Sequence, residues 1–159
     1  MLNIKSVRAD IDKQLKKKPD DISIIELVEL IVQCAHLSRA SDLHIEPQEG
    51  GVVLRFRIDG ILNDAFELPK EIQPEIISRI KVLSGLKTDI HQVPQDGRFK
   101  SKIDEKNNID IRVSIAPTYY GENAVLRILS ESIQTFALED LGFSPEQLIA
   151  INRAIQKPY

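Results

Sequence analysis

The chain has 159 residues, enough for one domain with a flanking piece and a sizeable core, and its 42% hydrophobic and 28% charged content excludes global disorder. With 21 Lys+Arg against 24 Asp+Glu the net charge is −3, which removes the overall basic field that drives nucleic-acid backbone binding and confines any anion site to a local patch. Cys34 is the only cysteine, so an intrachain disulfide framework and a cysteine zinc site are excluded and a reducing, cytoplasmic location is expected. No apolar run approaches the roughly 18 residues that span a bilayer, and the start lacks the apolar core of a secretory signal; work at a membrane would go through partners.

Leu2, Ile4, Val7, Ile11 and Leu15 recur at helical spacing, and Lys16-Lys17-Lys18 followed by Pro19 ends that helix, so residues 1–20 read as an N-terminal helix and linker. Ser23 and Glu26 have capping-box spacing ahead of an apolar run to Leu37, which predicts a largely covered helix with Cys34 as a small core residue and His36 at the edge of the buried face. From Ser41 the period becomes two. Leu43 and Ile45, then after Gly50-Gly51 the set Val52, Leu54, Phe56 and Ile58, each fall on one strand face, and Asp59-Gly60 predicts a tight hairpin into Ile61 to Phe66. Arg55 and Arg57 occupy the opposite, solvated or partner-facing side. His44 and Glu46 share a strand face, but two ligands make a weak metal site and no third is marked, so no metal is assigned.

Pro69 and the spacing of Ile72, Ile76, Ile80 and Leu83 predict a second helix stopped at Gly85, with Arg79 and Lys81 toward its polar side. Residues 88–97 read as a loop delivering a strand over 98–103; the polar run 104–108 turns the chain into Ile109, Ile111, Val113 and Ile115, with Asp110, Arg112 and Ser114 opposite. Residues 117–122 are a further connection. The strand that follows is apolar on both sides except at Arg127, which must meet an acid or face an interface. Ser144-Pro145-Glu146-Gln147 is a helix start with cap, first-turn proline and capping-box glutamine together.

Catalytic signatures are missing. There is no Gly-x-Ser-x-Gly and no His-Glu-x-x-His, and none of the seven glycines is followed by lysine, which excludes a Gly-Lys-Ser/Thr phosphate loop within these residues. What remains is arginine on or beside consecutive strands. Its planar, permanently charged fork suits phosphate or carboxylate. Asp96 and Asp110, each two residues from an arginine, offer ion pairs as the competing explanation for Arg98 and Arg112, and the pattern alone leaves the two readings open.

Five stretches in order resemble the traffic ATPases of type II secretion and type IV pilus assembly: Ala40-Ser41-Asp42-Leu43-His44-Ile45-Glu46-Pro47, Leu54-Arg55-Phe56-Arg57-Ile58-Asp59-Gly60, Arg79-Ile80-Lys81-Val82-Leu83-Ser84-Gly85-Leu86, Pro94-Gln95-Asp96-Gly97-Arg98 and Asp110-Ile111-Arg112-Val113-Ser114. The resemblance runs from about Asp21 to the end. It implies an α+β fold, a PAS-like antiparallel sheet with flanking helices over residues 21–135, and a lead-in over 136–159 to a RecA-like motor domain that carries the catalytic residues. By the same resemblance, Arg98, Arg112 and Arg127 reach the phosphates of ATP held with Mg2+ on that motor domain, while the chain alone binds neither. The implied partners are the chain's own motor domain, neighbouring subunits of a hexamer and an inner-membrane platform protein. Neither nucleic acid nor direct membrane insertion is expected. Asn123 departs from the family, which often has a basic residue after Gly121-Glu122. A retraction-type relative shares the Ser-Asp-Leu-His signal, but Pro-Gln-Asp-Gly-Arg favours the assembly branch; a stand-alone PAS-like sensory module is the alternative from another class.

Overall fold

The computed structural model describes residues 3–103, 108–129 and 138–157. Among these the chain forms four α-helices and one six-stranded antiparallel sheet, an α+β fold as expected. The elements are α1 (Ile4–Leu15), α2 (Ile24–Leu37), β1 (Asp42–Pro47), β2 (Val52–Ile58), β3 (Ile61–Leu68), α3 (Gln73–Leu83), β4 (Gln95–Lys102), β5 (Asn108–Thr118), β6 (Gly121–Leu129) and α4 (Pro145–Ile155). The strand order is β3-β2-β1-β6-β5-β4, so α3 carries the chain from one edge of the sheet to the other and β1 and β6 meet at its centre.

Alternation fixes which face is covered. Leu43, Ile45, Leu54, Phe56, Ile111, Val113, Ile115, Ala124 and Leu126 are buried on one side, and α2 and α3 pack there, with α1 against α2. In α2 the buried residues Leu27, Val28, Ile31, Val32, Cys34 and Ala35 form a broad stripe, and Val7 and Ile11 of α1 join the same core. Arg8 ties α1 to the far edge strand: its guanidinium lies 4.9 Å over the Phe66 ring and donates to the Ala65 carbonyl. Cys34 is fully buried as expected, and burial pushes its thiol pKa up.

Local chemistry departs from the sequence reading in four places. Ser23 makes no side-chain cap bond; Glu26 instead accepts from the amide nitrogen of the buried Gln14 of α1, whose oxygen accepts from Lys17. Strand β4 begins at Gln95 rather than Arg98, because Gln95 pairs with Ile115 and the ladder continues from there. The connection expected over 117–122 shrinks to Tyr119-Tyr120, since β5 and β6 pair out to Thr118 and Gly121. Pro117 is tolerated there because β4 stops pairing at Ile115, leaving one side of β5 without a ladder to break. Lys81, expected on the polar side of its helix, is fully buried, for the reason given below. The Ser144 capping box is present as read, with both reciprocal bonds made. The hairpin loop expected over 104–108 lies mostly outside the described residues.

Candidate anion-binding face

Helices cover one side of the sheet and leave the other open. On the open side the strand registers place residues in rows, because directly opposed residues on neighbouring strands project to the same face. One row reads Arg98 on β4, Arg112 on β5, Arg127 on β6, Asp42 on β1 and Arg57 on β2. Four arginines and one carboxylate thus cross five strands side by side. The next row holds Asp96, Ser114, Val125, His44 and Arg55. Arg98, Arg112, Arg127 and Asp96 line a shallow depression between the two rows.

Asp42 is the acidic member, and the turn before it is built to deliver it. Helix α2 ends with Arg39 in the left-handed region (φ 55°), where Arg39 N–H donates to His36 and Ala40 N–H to the Ala35 carbonyl, a Schellman-type stop. Ser41 then bridges β2 and β6 through its backbone, donating to Arg57 O at 2.8 Å and accepting from Ile128 N at 2.9 Å. The Asp42 side chain, 8% exposed, accepts from Arg127 Nε at 3.0 Å on Oδ1, and on Oδ2 faces Ser41 Oγ at 2.8 Å and Arg57 Nε at 3.3 Å. Burial works to raise the Asp42 pKa, but the hydrogen bonds from Arg127 and Ser41 and the charges of Arg127 and Arg57 outweigh it and hold the carboxyl below its ordinary value.

Arg98 and Arg112 have no such acid. Among the described residues neither has an ion-pair or hydrogen-bond partner, and both are exposed. The partners expected for them do not take the role: Asp110 faces Lys100 at 3.8 Å, and Asp96 has no ion pair among the described residues. Spacing of two along a strand puts acid and base on one face but does not make them meet, and the cross-strand neighbour is closer. The residues opposite Arg112 are themselves arginines, and of these Arg127 is paired with Asp42, so the excess positive charge lies on Arg98 and Arg112. Such a surface is chemically suited to an anion such as phosphate or carboxylate.

Arg55, Arg57 and Arg79 each meet an acid of this chain. Arg55 binds Glu46 at 3.3 Å and Asp64 at 3.0 Å, and Arg57 meets Asp42 at 3.3 Å, so on the open side of the sheet both arginines are engaged by acids of this chain. His44 Nδ1 lies 3.4 Å from Glu46 Oε1, which Arg55 also engages from the other oxygen. Arg79 approaches Glu29 at 3.8 Å.

Sequence reasoning missed a second cluster, on the covered face beside α3. Lys81 Nζ lies 2.7 Å from Glu122 Oε1 and donates to the Ile90 carbonyl at 2.7 Å, while His91 Nδ1 sits 2.7 Å from Glu122 Oε2. Lys81 is one position past Ile80 and four past Ile77, so its stem shares the apolar stripe and its ammonium must find an acid inside. Gln95 reinforces the same loop by bonding Lys87 and Ile90. This arrangement pins residues 87–95 immediately before Arg98. Asp42 was also missed as a partner; its place at the start of the alternating stretch, on the strand face opposite Leu43 and Ile45, was the available signal.

Comparison with known proteins adds the family. The type II/IV secretion system protein pattern matches residues 17–159. The chain belongs to the type II/IV secretion system protein family. Among its relatives, the type IV pilus assembly ATPase PilB of Myxococcus xanthus is 38% identical over 146 residues, covering 92% of this chain and 26% of that protein. The type II secretion system protein E of Xanthomonas campestris is 35% identical, covering 91% of this chain and 25% of that one. The chain therefore spans about a quarter of the length of these family members. The ATPase DotB of Legionella pneumophila shares the fold, with a TM-score of 0.58 over 86% of this chain and 37% of DotB, at 14% identity. The resemblance drawn from five motifs and the family assignment agree.

Proposed function

We propose that this chain is the PAS-like domain, with the lead-in to the motor, of a longer hexameric ATPase that drives type IV pilus assembly or type II secretion. In this reading Arg98, Arg112 and Arg127 approach ATP phosphates carried on the motor domain and stabilise charge on the transferring phosphoryl group. The observation that carries it is the aligned row of three arginines on the open sheet face, two of them without any counter-charge among the described residues. Guanidinium forks fit the anionic end of a nucleotide. The chain's described residues include no group of three or more His, Cys, Asp or Glu able to hold a metal, so Mg2+ would enter with ATP on acids of the motor domain.

The mechanical role follows from the same surface. When the terminal phosphate leaves, the arginines lose their counter-charge, the contact between this domain and the motor weakens, and the rigid sheet moves as a body. That motion would be passed to an inner-membrane platform protein from the cytoplasmic side. No described helix is long and apolar enough to cross a membrane, so the transmission runs through protein contacts. Helix α4 supports a lead-in: it buries none of its residues, and Ile149 and Ile155 stand 59% and 69% exposed, an apolar side that further chain would cover.

The test is to express the chain with the residues that follow Tyr159 and to assay ATP hydrolysis beside the 159-residue chain. Hydrolysis by the longer protein and none by the shorter supports the reading. A stop directly after Tyr159, hydrolysis by the short chain, or an inert longer protein contradicts it.

A further inference from the structure

Of the four arginines in the row, Arg98, Arg112 and Arg127 are not equivalent, and the difference lies in Asp42. This carboxylate is 8% exposed and stands between Arg127 on β6 and Arg57 on β2, directly opposite both. Its Oδ1 takes Arg127 Nε at 3.0 Å, its Oδ2 faces Arg57 Nε at 3.3 Å, and Ser41 Oγ donates at 2.8 Å to the same Oδ2. Ladder pairing fixes the backbones of all three neighbours, and their side chains engage both carboxylate oxygens. Arg127 is held at Nε, on the inner edge of its guanidinium, while its side chain remains 65% exposed. An arginine tethered this way keeps a charged fork directed outward.

We propose that Asp42 is a positioning residue that pre-sets Arg127 for an incoming phosphate, so that the site has one oriented arginine and two, Arg98 and Arg112, that are ordered only by the anion. This rests on the phosphate reading of the arginine row. Asp42 is served by both arginines, with Arg127 the closer at 3.0 Å and Arg57 on the other side at 3.3 Å. The pairing acts in both directions: Arg127 keeps the buried carboxyl ionised, and the carboxylate in return fixes the Arg127 guanidinium by its Nε edge. A long side chain loses rotamer freedom when it grips a ligand, and a preset one has already lost it. Asp42 reaches only the first of the three: Arg112 has Arg127 and Arg98 on either side and no acid.

The test is a cycle in the parent ATPase: Asp42→Asn, Arg127→Ala and the pair, with kcat and KM for ATP measured in each. Arg127→Ala is expected to lower kcat, and Asp42→Asn to lower it between about 10- and 100-fold with little change in KM. The double variant is expected to match Arg127→Ala alone, because Asp42 acts through that residue. Losses that multiply in the double variant would overturn the positioning role while leaving the phosphate reading intact. Wild-type turnover in Arg127→Ala would instead remove Arg127 from the site, and the proposal with it. In the 159-residue chain the Arg127 Nε–H resonance should be protected from exchange and lose that protection in Asp42→Asn; an unchanged signal contradicts the tether. Should Asp42→Asn fail to fold, Ser41→Ala removes one bond to the carboxylate and is read by the same resonance and the same cycle, with a smaller kcat loss that vanishes in the Arg127→Ala background. A kcat loss that persists there counts against the proposal.

Discussion

Asp42 carries its charge among donors, and that has a consequence for stability in acid. Its folded-state pKa is lowered, so the unfolded chain, with an ordinary aspartate near about 3.9, binds the proton more readily. The stabilisation is therefore complete above that ordinary value and is lost as pH falls through the lower folded value. Denaturant midpoints measured from pH 5 downward should fall more steeply for the native chain than for Asp42→Asn; parallel curves would show that Asp42 stays ionised or is not coupled to folding. At this scale the sequence disclosed the arginines but not their partners. Arg127 had to meet an acid or an interface on an otherwise apolar strand, yet that acid lies 85 residues away, and only the pairing of β1 with β6 brings it opposite. Asp96 and Asp110 were nearer in sequence and drew attention for that reason, whereas cross-strand geometry gives Asp110 to Lys100.

Between elements, the decisive device is the buried link from α3 to β6. Lys81 is fully buried and its ammonium meets Glu122 and the Ile90 carbonyl, which fastens the loop ahead of β4, the strand that carries Arg98. Gly97 adds a steric constraint to the same placement. A Cβ there would meet Ser84 O at 2.8 Å and Leu86 Cδ2 at 2.9 Å, so β4 can lie this close to the end of α3 only with glycine beside Arg98. Removing one partner of the buried pair leaves the other charge stranded. Lys81→Met should cost about 3–5 kcal/mol in chemical denaturation, and adding Glu122→Leu should restore part of it. A loss below about 1 kcal/mol for Lys81→Met would mean that the pair is solvated and does not hold the loop. Element types were legible because the apolar period changes cleanly from helical to alternating at Ser41, and again after Gly85. The end of α3 was legible too: Gly85, at φ 67°, closes a Schellman stop in which Leu86 N–H reaches the Lys81 carbonyl. Lys81 itself was misplaced because a lysine is scored as polar wherever it falls, although its stem lies along the stripe of Ile77 and Ile80. Ser23 failed as a cap for a similar reason, since Glu26 was claimed by a residue of another helix.

For the whole molecule, the sheet separates two duties. One face is covered by α2 and α3 and makes the domain rigid; the other is open and bears the arginine row. In the proposed reading, a surface with three aligned arginines and no phosphate loop of its own is half of a site, and the family relatives, of which this chain covers about a quarter, have room for the other half. The order of the strands, with β1 and β6 central, could not be read from periodicity, because alternation reports which residues share a face and not which strands are neighbours. The row of arginines is a product of that order.

The most direct test of the account is ATP turnover by the proposed longer ATPase with Arg98→Ala or Arg112→Ala, the two arginines of the row that have no ion-pair or hydrogen-bond partner among the described residues. Because neither makes an ion pair among those residues, the folded state should be kept while turnover falls, by about 10³-fold if each acts on the transferring phosphoryl group as an arginine finger does. Turnover unchanged in both variants would contradict the claim that this sheet face completes the nucleotide site.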